Sequence, residues 1–221
     1  MKKSLLLALF SCLLMSGHAV AAEPVLGLYY APKVIMNFNT FDGSIHVDGL
    51  GSDSTSFNEI SFGGALAMGY DFDVLCNMPV RTEIEFAMFS DIDATGFPYT
   101  VPTNGEIGIN TLMLNAFYDF KNNSDFTPYV GVGAGIAWVS MKGDIAGAVG
   151  FASHTENNFA WNLTAGVAYE ITENWSADLG YRYLNAGDAK TESTTIAGVT
   201  GHLEAKDIAS HQIMLGVRYT Y

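Results

Sequence analysis

From Ile60 to Asp71 the residues fall into two interleaved series. Ile60, Phe62, Gly64, Leu66, Met68 and Tyr70 form one, and Ser61, Gly63, Ala65, Ala67, Gly69 and Asp71 the other. The same period returns from Val80 to Ser90, where Val80, Thr82, Ile84, Phe86 and Met88 alternate with Arg81, Glu83, Glu85, Ala87 and Phe89. It returns again from Phe159 to Thr172, where Phe159, Trp161, Leu163, Ala165, Val167, Tyr169 and Ile171 alternate with Ala160, Asn162, Thr164, Gly166, Ala168 and Glu170. Period two assigns each series to one face of a β-strand, whereas a helix would scatter it around its circumference.

Five further segments carry the pattern less cleanly: Val25–Phe38, Gly108–Phe120, Pro128–Ser140, Trp175–Asn185 and Ile208–Tyr221. Pro32 and Lys33 interrupt the first of them, since proline cannot donate to a ladder. The connections alternate in length. Phe72–Pro79, Lys121–Thr127 and Thr172–Asn174 are tight, and Asn39–Glu59, Asp91–Ile107, Met141–Asn158 and Ala186–Asp207 are long and polar. Short turns at one end and long loops at the other predict an all-β, eight-stranded antiparallel up-and-down barrel. Its four long loops are predicted outside the cell and its short turns in the periplasm.

The ends of the chain bear on where such a barrel sits. Met1-Lys2-Lys3, the apolar run Leu5–Met15 and the small residues around Val20-Ala21-Ala22 read as a cleaved export signal over residues 1–22, with the barrel over 23–221. Cleavage takes Cys12 and leaves Cys76 without an intramolecular partner, so the fold must close without a disulfide. No second apolar stretch is long enough for a membrane helix, so a membrane-spanning chain of this kind needs a closed barrel to satisfy its backbone. The net charge of −13 argues against nucleic acid as a partner.

Soluble barrels alternate too, but they carry charge on the outside. Here the polar series is mostly Gly, Ala, Ser, Thr and Asn, as in Gly131, Gly133, Gly135 and Ala137, which suits a cramped interior. The opposite series is nearly free of charge, as lipid requires: an Arg or Lys at mid-membrane there would cost roughly 2–4 kcal/mol. Tyr70, Tyr118, Phe120, Tyr129, Tyr169, Trp175, Tyr219 and Tyr221 gather near the short-turn ends and predict an aromatic girdle at the periplasmic interface. Ile213, Leu215, Val217, Tyr219 and Tyr221 alternate up to a terminal aromatic. That ending resembles the signal read by the outer-membrane barrel assembly machinery, and implies that no periplasmic domain follows the last strand.

Thr127-Pro128-Tyr129-Val130-Gly131-Val132-Gly133-Ala134-Gly135, Thr172-Glu173-Asn174-Trp175-Ser176, Gly180-Tyr181-Arg182-Tyr183 and Leu215-Gly216-Val217-Arg218-Tyr219 resemble the opacity-type surface antigens. That superfamily includes the OmpA-like transmembrane domain and small porin-like surface proteins. The resemblance spans most of the mature chain and is strongest from Leu112 onward. It implies an outer-membrane surface protein of a Gram-negative bacterium, serving envelope integrity, adhesion or host contact through its loops. The partners it implies are outer-membrane lipid and lipopolysaccharide, together with host surface molecules.

Three sets of residues carry candidate chemistry. Arg81, Glu83, Glu85, Asp119, Glu170, Asp178, Arg182 and Arg218 fall on the inward series and predict an ion-pair network plugging the lumen. A narrow channel for small solutes is the competing reading of the same charges. Asp42, Asp48, Asp53, Glu59, Asp91, Asp93 and Glu106 crowd the first two loops and read as a solvated face. His46, His154, His202 and His211 lack the close spacing of a zinc motif. No Gly-x-Ser-x-Gly is present, and Ser153-His154 is an adjacent loop pair rather than a spaced nucleophile and base. No catalytic, cofactor or metal residue is therefore assigned, and a lipid-modifying enzyme is the third and weakest reading.

Overall fold

A computed structural model describes residues 26–47, 51–95, 103–145, 149–190, 194–196 and 199–221. The eight long strands are β1 (Leu28–Val47), β2 (Gly51–Asp71), β3 (Val80–Phe89), β4 (Thr103–Asp119), β5 (Phe126–Ile145), β6 (Val149–Glu170), β7 (Trp175–Asn185) and β8 (Val199–Thr220). Each pairs antiparallel with the next, and β8 pairs with β1 to close the ring. Closure removes the sheet edges over the length that all eight strands share, which is the condition for strands to cross lipid. Short strands Ile92–Thr95, Ala189–Lys190 and Thr194–Ile196 add to the wall beyond β3 and β7. The predicted export segment lies outside the described residues.

The alternation faces the way the sequence predicts. On β3, Arg81, Glu83, Glu85 and Ala87 are buried while Ile84, Phe86 and Met88 are exposed. Exposed aliphatic and aromatic side chains continue around the outside through Val34, Phe62, Leu66, Leu114, Val132, Leu163, Leu179 and Leu215. That outward apolar band is the lipid-facing surface.

Two segments differ from their sequence reading. β1 runs unbroken through Pro32 and Lys33, and its ladder with β2 is complete there. Proline's missing N–H costs pairing only on the other side, where partners skip from Tyr30↔Tyr219 to Lys33↔Gly216 without a change of register. The stretches read as loops are in large part ladder. β1 and β2 pair out to Val47↔Gly51, and β5 and β6 to Ile145↔Val149. Beyond the membrane both faces of a hairpin are wet, so its hydrophobic alternation fades although its hydrogen bonds persist.

The girdle is present, with one correction. Tyr118–Phe120, Phe126–Tyr169, Trp175–Tyr219 and Tyr219–Tyr221 pack with ring centroids 4.8–5.1 Å apart at the short-turn end. Tyr129 is not part of it. It shares the parity of Gly131 and Gly133 and points into the lumen. The β2–β3 turn holds one helical turn, Asp73–Cys76, and is tied to the next turn by Lys121 Nζ, 3.0 Å from Asp73 Oδ2.

Candidate functional site in the barrel lumen

Strand order decides which inward charges can meet. Glu85 on β3 and Arg182 on β7 are four strands apart in a ring of eight, on opposite walls. Their side chains nevertheless join as a fork, Nη1–Oε1 2.5 Å and Nη2–Oε2 3.0 Å, with both residues fully buried. This pair is a strut across the lumen. Lys33 enters from β1 and donates to Glu85 Oε2 and Glu83 Oε1, each at 2.6 Å. Glu83 also accepts from the Tyr29 hydroxyl at 3.2 Å and from Asn115 Nδ2 at 3.3 Å. Asn162 donates to Asn115 Oδ1 at 2.9 Å, and Arg182 Nε donates to Thr164 Oγ1 at 3.4 Å. One connected network therefore binds β1, β3, β4, β6 and β7 together.

Nearer the periplasm Arg81 holds Asp119 by a second fork, Nε–Oδ2 2.7 Å and Nη2–Oδ1 2.9 Å. Its guanidinium lies over the rings of Phe117, Tyr129 and Tyr29 at 5.1, 5.2 and 5.9 Å. Arg218 Nε is 3.7 Å from Asp178 Oδ2, close enough for attraction but too far for a hydrogen bond, so the buried Nε and Nη1 have no hydrogen-bond partner. Lys33, Arg81, Arg182 and Arg218 face Glu83, Glu85, Asp119 and Asp178, so four cations meet four anions and the cluster is neutral. Neutrality matters because an unpaired charge in such a site would be costly.

Seven of the eight charges read from the sequence lie in this lumen. Glu170 does not. It is the last residue of β6 and stands exposed at the rim, where inward parity leads into water. Sequence reading missed Lys33, because the proline beside it suggested a break. Once β1 is continuous, Lys33 shares the parity of Tyr29, Ala31 and Ile35. Gly216 opposite leaves room for its stem, since a Cβ there would meet Lys33 Cγ at 3.0 Å.

Toward the outside the lumen changes character. Ile35, Ala65, Ala87 and Met214 form an apolar layer above the charges. A polar ring follows, in which Asn39 Nδ2 donates to Ser61 Oγ at 2.9 Å, Ser210 Oγ donates to Asn39 Oδ1 at 2.5 Å, and buried Gln212 has an unpartnered amide. Ile92, Ile107, Ile109, Val139, Leu184 and Ile208 close over it. Voids of about 20 Å³ beside Arg218 and about 10 Å³ beside Gln212 each hold little more than one water molecule.

Among the described residues no group of His, Cys, Asp and Glu is arranged for a metal ion. His46 and His202 are Cα partners across β1 and β8, but their side chains, with those of His154, Ser153, Asp42, Asp48, Asp53 and Asp93, lie outside the described residues. Glu59, Asp91 and Glu106 are exposed, and His211 faces outward.

Known proteins share this architecture. The outer membrane protein PagN of Salmonella typhimurium is 34% identical over 175 residues, covering 72% of this chain and 73% of its own. A candidate adhesin of Rickettsia prowazekii is 25% identical over 224 residues, 99% of each chain. OprG from Pseudomonas aeruginosa superposes with a TM-score of 0.63 at 17% identity, over 89% of this chain and 97% of its own. Neisserial surface protein A does so at 0.55 and 18%, over 88% and 97%. The family described as the outer membrane protein beta-barrel domain matches residues 5–220. This chain belongs to that family, and its place is the outer membrane of a Gram-negative bacterium.

Proposed function

We propose that this protein is a non-catalytic surface protein whose braced, closed barrel displays its outer hairpins for adhesion or host contact. The observation that carries the reading is the Glu85–Arg182 strut with Lys33 on it, which spans the lumen from wall to wall. In this reading the braced interior leaves the outer ends of the strands as the surface available for a partner. Rickettsial relatives bear the name of candidate adhesins, which supports host contact as the use of that surface. In this reading the residue 1–22 segment is removed on export, and Ile213, Leu215, Val217, Tyr219 and Tyr221 guide assembly into the membrane. Cells displaying the whole protein are expected to bind host extracellular matrix, and cells displaying a barrel with the four outer hairpins shortened to tight turns are not. Equal binding by both would remove the adhesion reading.

A narrow channel is the second reading, favoured by one observation. Arg218 leaves two buried donors open beside a void. Single-channel recording separates the two: a steady, large conductance from the unaltered monomer would favour the channel.

A further inference from the structure

We infer that the outer face of β6, β7 and β8 carries a binding site for the phosphorylated sugar headgroup of an outer-leaflet lipid, built by Trp161, Tyr181, Tyr183 and His211. The inference rests on the outer-membrane location and is independent of the adhesion reading.

One polar residue stands in the outward apolar band of β8. On β8 the outward side chains Val217, Leu215 and Ile213 are exposed and apolar, and the next outward residue is His211. Among the described residues, Lys33, Arg81, Arg182 and Arg218 all turn into the lumen and Lys121 lies in a periplasmic turn. His211 is thus the basic side chain of the described lipid-facing surface. It stands eight residues from Tyr219 of the periplasmic girdle. With a strand rise of ~3.3 Å and a tilt of ~40°, that is a height of roughly 20 Å in an apolar band ~25 Å tall. His211 therefore lies near the level where acyl chains give way to headgroups in the outer leaflet.

Its surroundings are ordered for recognition. The Tyr181 hydroxyl lies 2.6 Å from His211 Nδ1 and the two rings stack at 27°. Tyr183, from the same strand as Tyr181, also packs on His211, 5.4 Å between centroids, and Trp161 packs on Tyr183 at 5.5 Å. With Nδ1 engaged by Tyr181, Nε2 is the nitrogen left to donate to an anion, and a protonated imidazole can donate from both. Tyr183 and Trp161 offer amphipathic ring faces at interfacial depth, suited to the apolar face of a sugar.

The test uses the whole protein in nanodiscs of zwitterionic phospholipid doped with a bisphosphorylated, acylated glucosamine disaccharide or with its dephosphorylated counterpart. Native mass spectrometry then counts the glycolipid retained per barrel. The wild-type protein is expected to retain the phosphorylated lipid several-fold more than the dephosphorylated one. His211→Ala should erase that difference, while Trp161→Ala should lower retention of both. His211→Gln, which keeps a donor near Nε2, should restore part of the preference and guards against a folding defect, checked by heat-modifiable migration. Equal retention of the two lipids by wild type, or an unchanged preference in both His211 variants, would overturn the site and leave the cluster as part of an aromatic girdle.

Discussion

Glu85 ties the lumen network together, because its fully buried carboxylate takes both Arg182 and Lys33. Removing one side of such a pair leaves the other buried and uncompensated, which costs about 3–5 kcal/mol. Glu85→Ala and Arg182→Ala should each lower stability by about that much in urea unfolding from liposomes. The double replacement Glu85→Leu/Arg182→Met should cost less than the sum of the two singles, because both desolvated charges leave together. Additive losses would show that the two residues are not energetically coupled. Lys33→Met should destabilise in the same direction, since Glu83 and Glu85 would then share the lumen with fewer cations. At this scale the sequence was legible through parity alone. Parity placed Arg81, Glu83, Glu85, Asp119, Asp178, Arg182 and Arg218 inside, and it would have placed Tyr129 there as well. Parity could not say that Glu170 leaves the barrel at its rim, nor that Glu85 reaches β7 rather than a neighbour. Both depend on strand ends and on the diameter of the ring.

Among the elements, β5 shows how one strand makes room for the network. Gly133 lies beneath the Asn162–Asn115 hydrogen bond, and a Cβ there would collide with the Asn115 Oδ1 and Asn162 Nδ2 atoms. Gly133→Val should therefore reduce the fraction of heat-modifiable, folded barrel sharply. Ala134→Val on the exposed face of the same strand should leave it near wild type, and an equal loss in both would deny the packing argument. The β2–β3 turn fixes orientation. Cys76 is exposed on Asp73–Cys76, at the end that carries the girdle. A membrane-impermeant maleimide should label one thiol per mature chain only after the outer membrane is permeabilised, and labelling of intact cells would invert the barrel. Strands such as β3 were readable end to end because lipid and lumen differ along their whole length. β1 was not, because Pro32 signals a break in a strand whose β2 ladder does not need its N–H. The outer parts of β1, β2, β5 and β6 were not either, because water on both faces leaves pairing without pattern.

For the whole molecule the question is whether the closed ring conducts. Eight strands leave an interior only wide enough for side chains, and here those side chains meet across it. On β1 the inward residues run Lys33, Ile35, Asn37, and on β8 they run Gly216, Met214, Gln212. Ile35 and Met214 face each other across the β1–β8 seam, between the void beside Arg218 and the void beside Gln212. An apolar layer over a charged strut gives an ion neither a hydrated path nor a ladder of polar groups, and desolvating it there costs several kcal/mol. Purified monomer in a planar bilayer should therefore be silent at voltages where wide porins conduct. Met214→Ser alone should change little, because the strut remains. Glu85→Ala/Arg182→Ala combined with Met214→Ser, and with Ile109→Ser in the apolar cap above, removes these barriers and should produce resolvable openings. A steady, large conductance from the unaltered monomer would place the function in the lumen after all and return the outer hairpins to the role of solvated connections.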